Sequence, residues 1–323
     1  MENELTNLFI FPTPFTWGDF PKYSSNTSLE NAYKICQETS KKHYENFPVA
    51  SLIIPKKIRK HFYSIYAFAR YADDIADNKS DLNKATRIRV LANLKYFIEY
   101  LNDEGIVQYP ILLALRNTIN EMQLPIKPFL KLLTAFKLDV YHWQPKTFEE
   151  LVQYCEYSAN PVGELILRLF NEYNEKTAYY SDKITTALQL INFWQDLSID
   201  FQNNRLYLPA DLFNKYAKEI TGANFDEFDE DKFAAFSLPI IEDLRSMMLD
   251  LIKKTENILL EGKNLVSLLK NKRLQFEIKL IVNSAEAMLE KEKQYKFLLF
   301  YFGPKLKKSD YFNILVKSIL WRY

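Results

Sequence analysis

Glycine is scarce, with six in 323 residues, and sustained period-2 alternation is hard to find. A chain of many short strands joined by tight turns is therefore a poor fit. Cysteine is scarcer: Cys36 and Cys155 are too few and too far apart for a disulfide framework or a zinc site, and they suit a reducing compartment. No charge of one sign dominates. A formal net charge of +1 gives no electrostatic case for nucleic acid as a partner. The first residues, MENELTNLFIFPTPF, lack a basic start and carry Pro12 and Pro14 inside their apolar part, so no signal peptide is expected. The strongest apolar run, FLLFYF (297–302), is far too short to span a bilayer. Disorder is excluded by 48% hydrophobic and 15% aromatic residues. The expectation is a cytoplasmic protein that at most touches the inner face of a membrane.

What is present is helical spacing. Thr27-x-x-Glu30 reads as a capping box opening a first helix, and Pro55 suits the first position of a second that runs to Asp77. Further helices are expected over 81–103, after Pro110 and after Pro125. Thr147-x-x-Glu150 opens another, which Pro161 must kink or interrupt. Ser181 can cap a helix to about Gln202, followed by a turn at RLYLP and a short helix from Ala210. Long helices over 238–262 and 271–302 and a last one over 309–321 complete an all-α chain. No linker or fixed-period repeat divides it, so one domain over 1–323 is expected, and FDEFDEDK (225–232) reads as a solvated loop or helix start.

Two stretches break the usual charge pattern. YADDIAD (71–77) puts Asp73 and Asp77 four apart, a repulsive spacing worth a few tenths of a kcal/mol, and no basic residue follows a turn later. Either the acids end a helix in solvent, or something outside the chain neutralises them. QLINFWQDLSID (189–200) repeats the spacing with Asp196 and Asp200. At ~100° per residue, Tyr66, Arg70, Asp73 and Asp77 fall within about 60° of one another, and Gln189, Asn192, Asp196 and Asp200 within about 80°. Polar stripes on otherwise apolar helices suggest facing walls of one cavity. Carboxylate pairs without His or Cys suit Mg²⁺, which takes one or two protein carboxylates and fills its remaining positions with water and phosphate oxygens. Arg70 and Arg205 can match phosphate oxygens with their guanidinium forks. The inferred ligand is a diphosphate with an apolar remainder, in keeping with the many aromatics.

Taken in order, HYENF (43–47), YAFARYADDIAD (66–77), YCEYSANPVGE (154–164) and ALQLINFWQDLSIDFQNNRLYLP (187–209) resemble the squalene/phytoene synthase family over about residues 30–285. That resemblance implies an isoprenoid-synthase helical bundle around a central cavity. It implies Mg²⁺ and diphosphate held by Asp73, Asp77, Asp196 and Asp200, with Arg70 and Arg205 on the phosphates. It further implies Tyr154 as a proton-moving tyrosine, Gln189 and Asn192 as polar site positions, His43 near the diphosphate, and Phe47 and Tyr66 on the prenyl channel. Gln195 stands where most members carry arginine, and Ala159-Asn160-Pro161 replaces a small-Gly-x run. With ENFPVAS (45–51), these departures resemble the bacterial hopanoid branch, whose substrate is presqualene diphosphate and whose product is hydroxysqualene. Head-to-head condensation of two farnesyl or geranylgeranyl diphosphates is the alternative, and a non-catalytic assembly protein of the same fold a remoter one. His61 and His142 read as structural residues, and Cys155 as buried packing.

The C-terminal segment 296–323 interleaves eight aromatics with six basic residues and one acid, Asp310. It reads in two ways. A final helix packs Phe312, Leu315, Ile319 and Leu320 onto the bundle, or an interfacial anchor turns aromatics to the headgroups and Lys305, Lys307, Lys308, Lys317 and Arg322 to anionic lipid.

Overall fold

The computed structural model describes residues 27–42, 54–77, 82–101, 109–203, 205–213 and 238–321. Among these residues there are helices and no strands. In chain order they are α1 (Leu29–Lys42), α2 (Lys56–Ala76), α3 (Lys84–Glu99), α4 (Pro110–Met122), α5 (Lys127–Val140), α6 (Phe148–Ser158), α7 (Asn160–Leu169), α8 (Glu175–Gln195), α9 (Leu197–Gln202), α10 (Leu238–Gly262), α11 (Leu265–Leu268), α12 (Lys272–Tyr295) and α13 (Lys308–Leu320), with a 3-10 turn over Lys296–Phe300. The all-α expectation holds.

Local side-chain chemistry sets the helix ends. Ser28, not Thr27, caps α1, its hydroxyl accepting from the Asn31 N–H at 3.2 Å. Pro55 stands one position earlier than expected, as the cap of α2. Asn83 caps α3 through the Thr86 N–H at 2.9 Å, and Thr147 caps α6 through the Glu150 N–H. The expected start at Ser181 is wrong because the Asn174 side chain accepts from the Lys176 and Thr177 N–H groups, opening α8 at Glu175 and leaving Ser181 buried inside it. Pro161 does interrupt its helix: α6 ends at Ser158 and α7 begins at Asn160. The helix expected to reach residue 302 stops earlier, at Lys296, whose φ of 54° lies in the left-handed region.

The chain forms two compact units, each assembled from three stretches. The first takes the described residues up to Tyr141 with Asn160–Ala178 and Leu269–Glu277. Its core packs Phe68, Leu91, Leu94, Phe97, Leu115, Phe129 and Leu133, all fully buried. Each such side chain contributes about 1.5–3 kcal/mol relative to exposure. His61 belongs to this unit's framework: its Nδ1 lies 3.0 Å from the Thr118 hydroxyl, which also accepts from Ser64, and burial holds its pKa below the usual histidine range. The Glu172 carboxylate, in the loop between α7 and α8, accepts the backbone N–H groups of Lys270 and Asn271 and so holds the residues just before α12.

The second unit takes His142–Ala159, Tyr179–Leu268 and Ile278–Tyr323, within the described residues. Trp194, fully buried, donates from Nε1 to Thr255 on α10. Cys155 is also fully buried, and its thiol is pushed far above the usual range by burial. On α12, Val282, Ala285, Leu289 and Glu292 form one buried stripe at helical spacing. Glu292 is the exception in chemistry: it is 0% exposed, neither carboxylate oxygen has a hydrogen-bond partner, and burial raises its pKa well above the carboxylate range.

Candidate active site

The first acidic stretch lies at the C-terminal end of α2. Asp73 and Asp74 are in its last turn, and Asp77 is its C-cap, donating its N–H to the Asp73 carbonyl at 2.8 Å. This is the negative end of the helix dipole, where a carboxylate is destabilised by roughly 0.3–1 kcal/mol. The compensation missing downstream comes from one turn upstream. Arg70 pairs with Asp73 at 3.4 Å and with Asp74 at 2.9 Å, while its buried Nε has no partner. Arg87 adds a second guanidinium, donating to the Ala76 carbonyl at 2.8 Å and tying α3 to this end of α2. Tyr66, Arg70, Asp73 and Asp77 are all partly exposed, as one stripe requires. His43 and Phe47 lie outside the described residues.

The second stretch spans a junction between two helices, with Asp196 following α8 and capping α9 and Asp200 inside α9. α8 ends at Gln195 and Asp196 stands in a one-residue break before α9, so the expected single helix to Gln202 is two. The ladder bridges the break: the Asp196 N–H donates to Asn192 and the Asp200 N–H to Asp196, both at 2.9 Å. The polar stripe survives, with Gln189 and Asp200 partly exposed and Asn192 and Asp196 exposed. Although exposed, the Asp196 carboxyl is held above the usual carboxylate range, chiefly by desolvation and against the pull of the Lys305 ammonium. Arg205 returns its backbone N–H to the Asp200 carbonyl at 2.8 Å, which fixes where the RLYLP strap begins.

The strap carries an aromatic cluster. Ala210 and Asp211 donate to the Pro145 and Lys146 carbonyls, and the Gln144 amide donates to the Leu208 carbonyl. Pinned in this way, Tyr207 stacks on Phe193 at 4.0 Å and lies 5.8 Å from Tyr154. Trp143 stacks on the remaining side of Tyr154 at 5.5 Å. Tyr154 is 4% exposed, so the candidate proton-moving residue sits inside a box of π-faces able to stabilise a cation. Trp143, Phe193 and Tyr207 did not stand out in the sequence as site residues. Phe193 lies inside the acidic-helix stretch but read there as apolar filling, and Tyr207 read as part of the RLYLP turn.

Lys305 is the other residue missed. The sequence assigned it to a membrane-facing set, whereas the structure puts it within electrostatic reach of Asp196. The cause is Gly303: a Cβ there would lie well inside contact distance of the Gln195 carbonyl oxygen, so only glycine lets the segment after the 3-10 turn approach the end of α8. Gly303→Ala should therefore displace the Lys305 segment and lower turnover about tenfold or more. Lys305→Gln should lower it with the fold intact by circular dichroism. Wild-type rates in both variants would remove this segment from the site.

A groove of about 640 Å³ lies elsewhere, between α1 and the first turns of α2, lined by Tyr33, Lys34, Lys56, Arg59, Lys60 and Tyr63. It is about 20 Å along α2 from Asp73 and contains none of the candidate residues. Among the described residues no three metal-binding side chains converge. Each acidic stretch instead offers hard carboxylate oxygen donors, at the end of α2 and at the junction of α8 and α9. That donor set fits Mg²⁺ taking its other ligands from phosphate and water.

A family model for squalene/phytoene synthase matches residues 40–310. The hydroxysqualene synthase of Sinorhizobium fredii is 35% identical over 246 residues, covering 76% of this chain and 78% of the relative. That of Zymomonas mobilis is 33% identical over 249 residues, with the same coverages. Squalene synthase HpnC from Alicyclobacillus acidocaldarius superposes with a TM-score of 0.71 at 31% identity, covering 87% of this chain and 98% of that one. A dehydrosqualene synthase superposes equally well, at 0.71, with 23% identity, and so shares the fold. The chain belongs to the squalene/phytoene synthase family and has the all-α isoprenoid-synthase fold.

Proposed function

We propose that this enzyme converts presqualene diphosphate to hydroxysqualene with Mg²⁺, releasing diphosphate. The observation that carries the reading is the setting of the first pair: Asp73 and Asp77 occupy the C-terminal end of α2, where carboxylates are unfavourable without a cation, and Asp196 and Asp200 repeat the four-residue spacing across the junction of α8 and α9. Asp73 and Asp77, and Asp196 and Asp200, are the residues that would hold Mg²⁺. When bound, the ion neutralises the departing diphosphate. Relatives above 30% identity that carry the name hydroxysqualene synthase favour this substrate over two farnesyl diphosphates.

In this mechanism Arg70 and Arg205 bind phosphate oxygens, Arg70 exchanging Asp73 and Asp74 for the substrate. The carbon–oxygen bond breaks and its electron pair leaves with the diphosphate. The cyclopropylcarbinyl cation rearranges beside the π-faces of Tyr154, Phe193 and Tyr207, which stabilise positive charge and limit water access. One water adds to the final cation, and its proton passes by way of the Tyr154 hydroxyl to the released diphosphate. Gln195 leaves one guanidinium fewer beside Asp196, which suits a site handling one diphosphate.

Purified protein incubated with Mg²⁺ and no nicotinamide should yield hydroxysqualene from presqualene diphosphate and nothing from farnesyl diphosphate. Presqualene diphosphate, dehydrosqualene or phytoene formed from farnesyl or geranylgeranyl diphosphate would instead make it a condensing synthase. No turnover and no Mg²⁺-dependent binding of any prenyl diphosphate would point to an assembly protein.

A further inference from the structure

The C-terminal helix α13 touches the second unit by one narrow edge. Only Ile314 and Ser318 are buried, Ser318 accepting from the Asn283 amide of α12 at 2.7 Å. Its ends are also tied down: Asp310 pairs with Lys291 and accepts the Lys307 N–H, and the Lys279 ammonium donates to the Trp321 carbonyl. The remainder of the helix contradicts the reading in which its apolar residues pack inward. Tyr311, Phe312, Leu315, Val316, Ile319 and Leu320 are all exposed, Phe312, Ile319 and Leu320 by 64–68%. At ~100° per residue they fall within an arc about 180° wide, with the buried Ile314 and Ser318 outside it. Phe302, 64% exposed, precedes the helix. A rigidly held helix with this much exposed apolar surface marks a docking face.

Charge identifies the occupant. Lys307, Lys308 and Lys317 are exposed around the face, and the segment's single acid, Asp310, is already engaged by Lys291. A second copy of this chain would bring like charges together. An anionic lipid surface would neutralise them while its acyl region takes the aromatics. Among the described residues no helix is long and apolar enough to cross a membrane. We infer that α13 is an interfacial anchor, lying in the plane of an anionic bilayer with its apolar face in the headgroup region.

The inference does not depend on which prenyl diphosphate is used, and its test needs no substrate. The full-length protein should co-sediment with vesicles containing phosphatidylglycerol, and less as salt rises. Phe312→Ser/Ile319→Ser/Leu320→Ser removes only exposed side chains, so circular dichroism should be unchanged, and partitioning should fall at least about thirtyfold. Lys307→Gln/Lys308→Gln/Lys317→Gln should cost about tenfold or more on anionic vesicles and little on pure phosphatidylcholine. No vesicle binding, binding unaffected by either triple variant, or a dimer that the serine variant dissolves in place of vesicle binding would each overturn the anchor.

Discussion

Asp77→Ala and Asp196→Ala should each reduce turnover by at least about a thousandfold, while the folded state is kept or gains slightly in stability. A thousandfold is about 4 kcal/mol of transition-state stabilisation, the loss expected if these carboxylates hold the cation that the departing diphosphate needs. The stability effect has the opposite sign for Asp77, because it opposes the dipole of the helix it ends and removing it relieves roughly 0.3–1 kcal/mol; Asp196 follows α8 but caps the N-terminus of α9, so its removal should be close to neutral. Product formation from presqualene diphosphate and urea denaturation of the same preparations separate the two effects. A variant that turns over normally takes its residue out of the metal site, and one that unfolds shows the acid to be structural.

The second large effect is expected at Glu292. A carboxyl that is fully buried, with both oxygens unpartnered, lacks the hydrogen bonds it makes with water in the unfolded chain, at a cost of about 1–3 kcal/mol. Because burial raises its folded pKa, the protonated form prevails in the fold. The sign follows: an acid whose folded pKa exceeds its unfolded value is least harmful below the unfolded pKa. It then drains stability as pH rises through the folded pKa. Glu292→Leu should thus stabilise the protein by about 2–3 kcal/mol at pH 8, less at pH 5, and flatten the dependence between them. Denaturation at the two pH values measures this. Equal stability of variant and wild type at both would mean that Glu292 has relaxed to a partner. If the variant is more stable but slower, the acid is kept for the reaction.

Much of the fold was legible because it rests on local rules. The 3.6-residue period, the caps at Asn83 and Thr147 and the interruption at Pro161 depend on residues within one or two turns of each other. What escaped was set by competition or distance. Asn174 displaced Ser181 as a cap because its amide oxygen reaches two N–H groups, and Asp196 became a helix break although its i→i−4 bond persists. The acidic pairs were visible as a repulsive spacing. Arg70 was expected to bind phosphate, and its pairing with Asp73 and Asp74 was not anticipated. Trp143, Tyr207 and Lys305 reach their neighbours only through the strap and the close approach at Gly303, which no periodicity encodes.

The interleaving of the two units governs how the chain can fold. Glu172 grips the Lys270 and Asn271 amides across 98 and 99 residues, and the first unit is completed only by Leu269–Glu277. A nascent chain that has emerged only as far as residue 268 therefore holds the Glu172 carboxylate without its backbone donors. The unit cannot reach its final packing while the ribosome is still making the second. Closure must wait for long-range contacts whose loop entropy is lost before any burial rewards it, so the late step is slow and leaves apolar helix faces exposed meanwhile. Substitutions at Glu172 would consequently weigh more on the yield of folded protein than on the activity of molecules that have already closed.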